Sequence, residues 1–343
     1  MHSHRSLMSQ EIHAAPEIVA LQENALAQPL THLVAWLRRQ PPNCVVTCAR
    51  GSSAHAATLG KHLIERYLGV PVAAAAPNIA SVYRQELRLR NQLVLVISQS
   101  GKSDDLIAFA GAAKGSGALT VAITNDAEAP LAAECDIVLP LGAGPELSVA
   151  ATKTFLATAT VLMRLIAAWA NDATMLSAVQ RLPERLAAAA SLDWRVGVEV
   201  LSRAKQLAII GRGPTLAIAR EAALKLKEVC NLQAEAFSGA EFQHGPIALV
   251  SQGYPILMFM PTDAAAAGMG QLGRDLTARS ADLLTAGDGL AQNGHLPVVP
   301  ADQPETDALC LIQSFYVMTL ALAERLGIDV DRPRNLHKIT RTT

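Results

Sequence analysis

The sequence predicts an α/β protein made of two tandem copies of a doubly wound, parallel-sheet unit. Short β-branched runs alternate with longer segments rich in alanine and leucine, which is the order of strands and covering helices in a parallel sheet. The second half of the chain also repeats the first half at one constant shift. Such a shift, held over several elements in the same order, indicates duplication of a whole unit.

The first copy begins with the strand NCVVTCA, followed by Gly51-Ser52-Ser53 and a helix over about 54–67. LVLVIS is the next strand, and SDDLIAFAGAAKG is predicted to be a helix that ends at Gly115. ALTVAIT and CDIVLP are read as two shorter strands. A long apolar helix then covers about 152–170.

The second copy repeats this design. QLAIIGRGPTLAIAREAALKLKE matches CVVTCARGSSAHAATLGKHLIE, and Arg212-Gly213 follow Arg50-Gly51 by 162 residues. The same shift places VLVI on ILMF, LPVVP follows at nearly the spacing of DIVLP, and a long helix recurs near 307–327. The predicted division is a helical arm (1–30), a first domain (31–170), a helical connector (171–196), a second domain (197–327) and a tail (328–343).

Composition narrows the functional class. The formal net charge of −1 and the absence of a basic run argue against a nucleic acid or an anionic membrane as partner. The N-terminus lacks the apolar core of a signal peptide, and FLATATVLMRLIAAWA is broken by Arg164, so it is read as a buried helix. We therefore expect a cytoplasmic protein.

The cysteines indicate neither metal nor redox chemistry. Five are present, and their spacing fits neither a zinc site nor a CxxC pair. Cys44 and Cys48 lie in a strand pattern and are read as core thiols. The histidines are scattered. The expectation is therefore a protein with no metal site and no cofactor.

One strand ends in an unusual polar cluster, SQSGKS, which starts at Ser98 and ends at Ser103. Ligands of open α/β sheets bind at the carboxyl ends of strands, and a helix N-terminus there favours a phosphate. The cluster is not a GxxxxGK(S/T) nucleotide loop. The alternative is ordinary helix capping. The second copy keeps the strand but has Met260-Pro261-Thr262 at the matching positions, which favours a phosphate site in the first copy.

Two further segments carry hydroxyl groups near the predicted start of a helix. Gly51-Ser52-Ser53 follows the first strand and is predicted to face the same ligand, with capping as the alternative. In ELSVAATKTF, Thr152 and Lys153 open a helix, and capping explains Thr152 adequately.

A helix of the second copy carries charged residues on one face. Glu221, Lys225 and Glu228 are spaced i, i+4 and i+7, so they share a face at 3.6 residues per turn. The alternative is a solvated stripe of weak ion pairs. QAEAFSGAEFQHGPIAL follows and places His244 on a loop bounded by glycine and proline. A histidine beside a carboxylate-bearing helix, opposite a phosphate cradle, is a candidate acid/base pair.

Five motifs together resemble a known family: SQSGKS, VAATKTF, EAALKLKE, AEFQHGP and RPRNLHK. They follow the order and approximate spacing of the sugar isomerase (SIS) domains in the isomerase half of glucosamine-6-phosphate synthase. The resemblance covers about residues 10–343 and implies two tandem SIS domains.

The resemblance also implies roles for individual residues. Glu228 would move a proton between C1 and C2, supported by Lys225 and Glu221. His244 would open the pyranose ring from the neighbouring subunit of a homodimer, and Lys338 would approach C2, where it could form a Schiff base. The residues implied to hold the phosphate and the sugar are Ser98, Gln99, Ser100, Ser103, Gly51, Ser52, Ser53 and Val149.

The chain departs from the family at several points. Lys102 replaces an acid, Ala151 replaces a small hydroxyl residue, and the tail after Lys338 reads ITRTT instead of an acidic ending. There is no cysteine before Cys44, and the sequence is too short to include the glutaminase, so we expect no ammonia from glutamine.

The resulting expectation is a glucosamine-6-phosphate deaminase that yields fructose 6-phosphate and ammonia. Galactosamine 6-phosphate, a glycated amino-acid phosphate and simple ketose–aldose isomerisation remain alternatives. A non-catalytic sugar-phosphate sensor is disfavoured because the acid/base residues are retained and no DNA-binding segment precedes residue 40.

Overall fold

A computed structural model describes residues 6–287, 294–336 and 338. The chain forms two compact units. The first unit consists of Glu17–Glu146, Lys153–Gln180 and His337–Thr343, and within that last range only Lys338 is described. The second unit consists of Met1–Pro16, Leu147–Thr152 and Arg181–Leu336, described over 6–16, 147–152, 181–287 and 294–336. The arm, connector and domain boundaries expected from the sequence stay predictions.

Helices and strands alternate along most of the chain. In order, the elements are α1 (Leu7–Arg39), β1 (Val45–Ala49), α2 (Gly51–Leu68), β2 (Val72–Ala74), α3 (Asn78–Ser81), β3 (Leu93–Ile97), α4 (Asp104–Gly115), β4 (Leu119–Thr124), α5 (Pro130–Glu134), β5 (Ile137–Pro140), α6 (Lys153–Ala170), α7 (Ala173–Ala189), α8 (Arg195–Leu201), β6 (Gln206–Gly211), α9 (Pro214–Cys230), β7 (Gln233–Ser238), α10 (Gly239–Gln243), β8 (Pro255–Phe259), α11 (Ala266–Ala278), β9 (Asp282–Ala286), β10 (His295–Leu296) and α12 (Pro304–Arg325).

The two sheets have the same topology, which confirms the predicted α/β fold with two tandem copies. Each has five strands, in the orders β2-β1-β3-β4-β5 and β7-β6-β8-β9-β10, and every strand pair is parallel. Adding 162 to the bounds of β3 (93–97) gives 255–259, the bounds of β8. The same addition moves the start of α4, residue 104, to 266, the start of α11.

Each sheet is built around a buried central strand. All five residues of β3 are buried, as expected for a parallel strand covered on both faces. In the first unit Val94 and Val96 pack in one cluster with Phe109 of α4. In the second unit Ile256 and Met258 pack with residues of α11 in the corresponding way.

Two apolar helices support these cores. α6 and α12 are long and apolar enough to cross a membrane, but 83% of the apolar stretch of each is buried inside the structure. That degree of burial is typical of a core helix, as predicted for α6. Burial also raises the pKa of Cys48, Cys135, Cys230 and Cys310 to about 12, so these four behave as apolar core residues.

The structure differs from the sequence prediction at the start of α2, at β7 and in LPVVP. α2 begins at Gly51 instead of near residue 54, so Ser52 and Ser53 lie in its first turn. QAEAFS, for which the sequence predicted no element, is the strand β7, whose polar residues reflect its position at the sheet edge. In LPVVP only Leu296 belongs to a strand, since the proline that follows has no N–H to donate to a ladder.

Candidate functional site

The polar loops of the first unit meet at one edge of its sheet. β1 and β3 are neighbours, with Ala49 paired to Ile97, so the segments that follow them emerge side by side. Arg50 joins the two segments, because its guanidinium binds the carboxylate of Asp105, including an Nε–Oδ2 contact of 2.8 Å. Asp105 is only 3% exposed. An ion pair therefore links the two segments that the sequence predicted to share a ligand, the one after β1 and the one after β3.

The SQSG turn is closed by its own side chains. The Ser98 Oγ accepts from the N–H of Gly101 at 3.2 Å, and the Ser100 Oγ accepts from the N–H of Lys102 at 3.3 Å. Gly101 has φ +62°, and a Cβ built on it would lie 2.5 Å from the Ala129 Cβ. Glycine is thus the residue that this turn accommodates.

The N-cap residues of the two helices beside the SQSG turn make no side-chain capping hydrogen bond. Ser103 is the N-cap residue of α4, yet its side chain makes no capping hydrogen bond. Arg50 is the N-cap residue of α2, again without a side-chain cap, and Gly51, Ser52 and Ser53 form the first turn. Two helix N-termini with adjacent hydroxyl groups form a cradle suited to an anion.

A cleft of about 520 Å³ opens beside this cradle. Gln99 and Ser100 line it, together with Lys102, whose Nζ lies 3.6 Å from the Asp126 carboxylate. Lys338 lines the same cleft. The structure thus brings the tail lysine and two predicted phosphate ligands to one cleft. The altered tail sequence after Lys338 lies outside the described residues.

Glu146 is a cleft residue that the sequence analysis did not select. Its side chain is fully buried, and its Oε2 lies 3.4 Å from the Lys338 Nζ. Thr154 donates to the same carboxylate from its Oγ1 at 2.6 Å and from its N–H at 3.1 Å. The sequence signal was the glutamate in ELSVAATKTF, but the motif was interpreted only as a helix start.

In the second unit, the predicted charged face of α9 is a buried cluster. Glu221 and Lys225 have side chains that are 0% exposed, whereas the Glu228 side chain is 22% exposed. The Lys225 Nζ lies 3.4 Å from the Glu221 Oε1 and 2.5 Å from the Glu228 Oε2. The alternative of a solvated surface stripe is therefore wrong for Glu221 and Lys225.

Local sequence fixes the position of α9. Gly213, with φ +59°, leads into Pro214 at the first helical position, and Asn231 ends the helix in the left-handed conformation. The Thr215 Oγ1 lies 3.0 Å from the backbone carbonyl oxygen of Phe259, to which it can donate a hydrogen bond. The start of α9 is thereby held against the end of β8.

Tyr316 of α12 completes the α9 cluster. Its fully buried hydroxyl donates to the Glu221 Oε1 at 3.2 Å. Among the residues that the structure describes, the Glu228 carboxylate hydrogen-bonds only to Lys225, through Oε2, which leaves Oε1 without a described partner. The cluster therefore presents one oriented carboxylate oxygen, which is what a group that moves a carbon-bound proton requires.

The structure does not bring His244 into contact with this face. His244 ends the short helix α10 and is exposed, and its side chain forms no hydrogen bond or ion pair with any residue in the described ranges. Ser238 caps α10 by accepting from the N–H of Glu241 at 3.2 Å. Val149, half-buried, lies in a segment of the second unit.

Comparison with known proteins identifies the class. The SIS domain family model matches residues 41–168 and 200–284, so the chain belongs to the SIS domain family. The predicted resemblance is confirmed.

Individual relatives are consistent with this family. The chain is 33% identical to the glutamine–fructose-6-phosphate aminotransferase (isomerizing) of Symbiobacterium thermophilum, over 97% of the chain but 56% of that relative. It therefore spans about half the length of the curated relatives that it matches. A crystal structure of a candidate phosphosugar isomerase from Silicibacter pomeroyi DSS-3 is 42% identical, with a TM-score of 0.91, covering 95% of this chain and 100% of that one.

A second solved structure is the C-terminal domain of glucosamine-fructose-6-phosphate aminotransferase from Francisella tularensis. It is 25% identical, with a TM-score of 0.85, and covers 96% of this chain and 99% of that one. These relatives bear enzyme names, which confirms the prediction that the chain is an enzyme.

Proposed function

We propose that this chain acts on a hexosamine phosphate as a phosphosugar isomerase that releases ammonia. The proposed reaction converts glucosamine 6-phosphate and water to fructose 6-phosphate and ammonia. The observation that carries the proposal is the α9 cluster, in which a buried Lys225 orients Glu228 and leaves one carboxylate oxygen available. Aldose–ketose interconversion needs one such carboxylate to take a proton from one carbon and return it to its neighbour.

The relatives support the choice of substrate. By name, the 33% identical relatives are isomerizing aminotransferases of fructose 6-phosphate, so their chemistry includes both a proton shift and a C–N bond. A catalyst accelerates a reaction in both directions. The groups that help to form an amino-sugar phosphate from its ketose imine therefore also serve the reverse path, in which water hydrolyses the imine and ammonia leaves.

Other residues bind the phosphate, act at C2 and open the sugar ring. The first unit's cradle, with Ser98, Ser100 and Ser103, binds the phosphate. Lys338 acts at C2, where the ketose imine forms and is hydrolysed. His244 opens the ring, and its exposure without a described partner suits a residue that serves a second copy of the chain.

The first experiment incubates the purified chain with glucosamine 6-phosphate, without glutamine, and measures ammonia and fructose 6-phosphate together. Equal amounts of both products support the proposal. Interconversion of ketose and aldose phosphates without ammonia would reduce it to simple isomerisation. Phosphosugar binding without turnover, over a panel of hexose and hexosamine phosphates, would favour a sensor.

A second experiment tests whether His244 of one chain and Glu228 of another form one active site. Glu228→Gln and His244→Ala are each expected to be inactive, and their mixture should regain activity only if a dimer combines one residue from each chain. Random exchange makes half of the dimers mixed, each with one intact site, so about a quarter of the wild-type activity should return. No recovery, with exchange verified, would contradict the role of His244 across the interface.

A further inference from the structure

We propose that the second unit has a ligand site of its own, for a small molecule with an apolar body and one anionic group. The site is a cavity of about 810 Å³, within the size range of cavities that hold small ligands. Its wall includes the residues that directly follow β8 and β9, namely Met260, Pro261, Thr262 and Gly287. The cavity lies at the carboxyl ends of the strands of the second sheet. The SQSG turn lies at the corresponding end of the first sheet.

The wall of this cavity is mainly apolar. Besides Met260 and Pro261, it is formed by small residues of α11 and by a segment between β10 and α12. Ala266 and Gly270 lie one helical turn apart on α11, so the first part of the helix surface facing the cavity has no large side chain. The wall residues between β10 and α12 are Val298, Val299, Pro300 and Ala301.

The polar groups of Asp307, Thr262 and Ser314 in the wall are already paired. The Asp307 carboxylate accepts from the Arg185 Nη2 at 2.7 Å, the Thr262 Oγ1 at 2.6 Å and the Asp302 N–H at 3.0 Å. The Ser314 hydroxyl donates to the Ala189 oxygen at 2.8 Å. Because these donors and the carboxylate are engaged, a ligand body gains little there from hydrogen bonds, and an apolar body fits best.

Arg274 supplies the charge that selects an anion. It lines the cavity from α11 and is exposed, and its one side-chain hydrogen bond within the described ranges, from Nη2 to the Gln271 Oε1 at 2.7 Å, goes to a neutral group. No described carboxylate pairs with it. A guanidinium can bind a carboxylate, sulfonate or phosphate through two parallel N–H groups, so one anionic head beside an apolar body matches this wall.

The test uses anilinonaphthalene sulfonate, which combines an aromatic body with one sulfonate, in a fluorescence titration of the intact chain. We expect one saturable site per chain. Ala266→Phe places a ring where the body sits and should weaken binding by about tenfold or more. Arg274→Gln removes a partly solvated charge pair and should weaken binding by about two- to fivefold.

Matched controls lie on the same helix. Ala278→Phe and Arg279→Gln are exposed changes at the end of α11 that do not line the cavity, and both should bind the probe as the wild type does. Thermal unfolding of each variant checks that it is folded. Decanoate should displace the probe at lower concentration than decanol, since only decanoate offers an anion to Arg274.

Three outcomes would overturn the proposal. Ala266→Phe could bind the probe like Ala278→Phe, Arg274→Gln could match Arg279→Gln, or decanol could compete as well as decanoate. Each would mean that the probe binds elsewhere or without the proposed charge. None of these measurements uses the sugar phosphate, so failure of the proposed deaminase reaction leaves this test unaffected.

Discussion

The two copies of the unit share a backbone plan but place chemistry at different positions. After β3 the first copy continues with Ser98, Gln99 and Ser100, whereas after β8 the second continues with Met260, Pro261 and Thr262. The strand order of the two sheets is the same. The polar turn is therefore not required by the fold, which is the argument for assigning it a ligand.

The helices after the first strand of each copy show the reverse difference. Subtracting 162 from 221 and 225 gives 59 and 63, so Glu221 and Lys225 of α9 correspond to Leu59 and Leu63 of α2. All four side chains are fully buried. The fold is satisfied by leucine at these positions, and a buried ion pair is seldom more stable than apolar residues of similar size. The charged pair of the second copy is thus best explained by function.

The largest expected effect comes from Glu228→Gln. Loss of the proton-transferring carboxylate should lower kcat on the proposed substrate by about a hundred- to ten-thousandfold, with little change in KM. Steady-state kinetics on glucosamine 6-phosphate measure both constants. Glu199→Gln, an exposed change in α8 of the same unit, should leave both unchanged. A Glu228→Gln variant with wild-type kcat would remove this residue from the mechanism.

Replacing the charged pair by the residues of the first copy tests the same comparison. The double variant Glu221→Leu with Lys225→Leu should be inactive and should lose about 1–3 kcal/mol of the free energy of unfolding, because the buried Tyr316 hydroxyl loses its Glu221 acceptor. Lys225→Leu alone leaves Glu221 buried without its ammonium partner and should cost about 3–5 kcal/mol. Urea denaturation gives both values.

The comparison between the double and the single variant decides the outcome. If the double variant is less stable than Lys225→Leu alone, the ion pair is structural and the argument from Leu59 and Leu63 fails. An active double variant would show that the pair does not support Glu228.

Sequence alone predicted what depends on local spacing. The shared face of Glu221, Lys225 and Glu228 follows from helical periodicity, and the repeat follows from one constant shift. Tyr316 and Glu146 were missed because their contacts, to Glu221 and to Lys338, join residues 95 and 192 positions apart. No periodicity encodes such contacts. The strand β7 was missed because its polar, edge-strand sequence gives no buried apolar run.

The smallest expected effect concerns two glycines of the first unit. Gly51 and Gly101 both have positive φ, at +54° and +62°, so alanine is strained at each. They differ in their surroundings. A Cβ at position 51 has no atom within 4 Å, whereas one at position 101 lies 2.5 Å from the Ala129 Cβ and 3.1 Å from the Thr124 Oγ1. Gly101→Ala therefore combines backbone strain with overpacking, and Gly51→Ala has the strain alone.

Gly51→Ala should lower the free energy of unfolding by about 1 kcal/mol, and Gly101→Ala by about 2–4 kcal/mol, measured by urea denaturation of both variants. The corresponding position of the second copy is Asp263, which shows that the repeat can dispense with glycine where no tight polar turn is formed. Equal losses for the two variants would mean that the SQSG turn relaxes away from Ala129 at little cost. In that case Gly101 would be kept for close approach of the phosphate to the backbone, and Gly101→Ala should raise KM for the sugar phosphate more than it lowers stability.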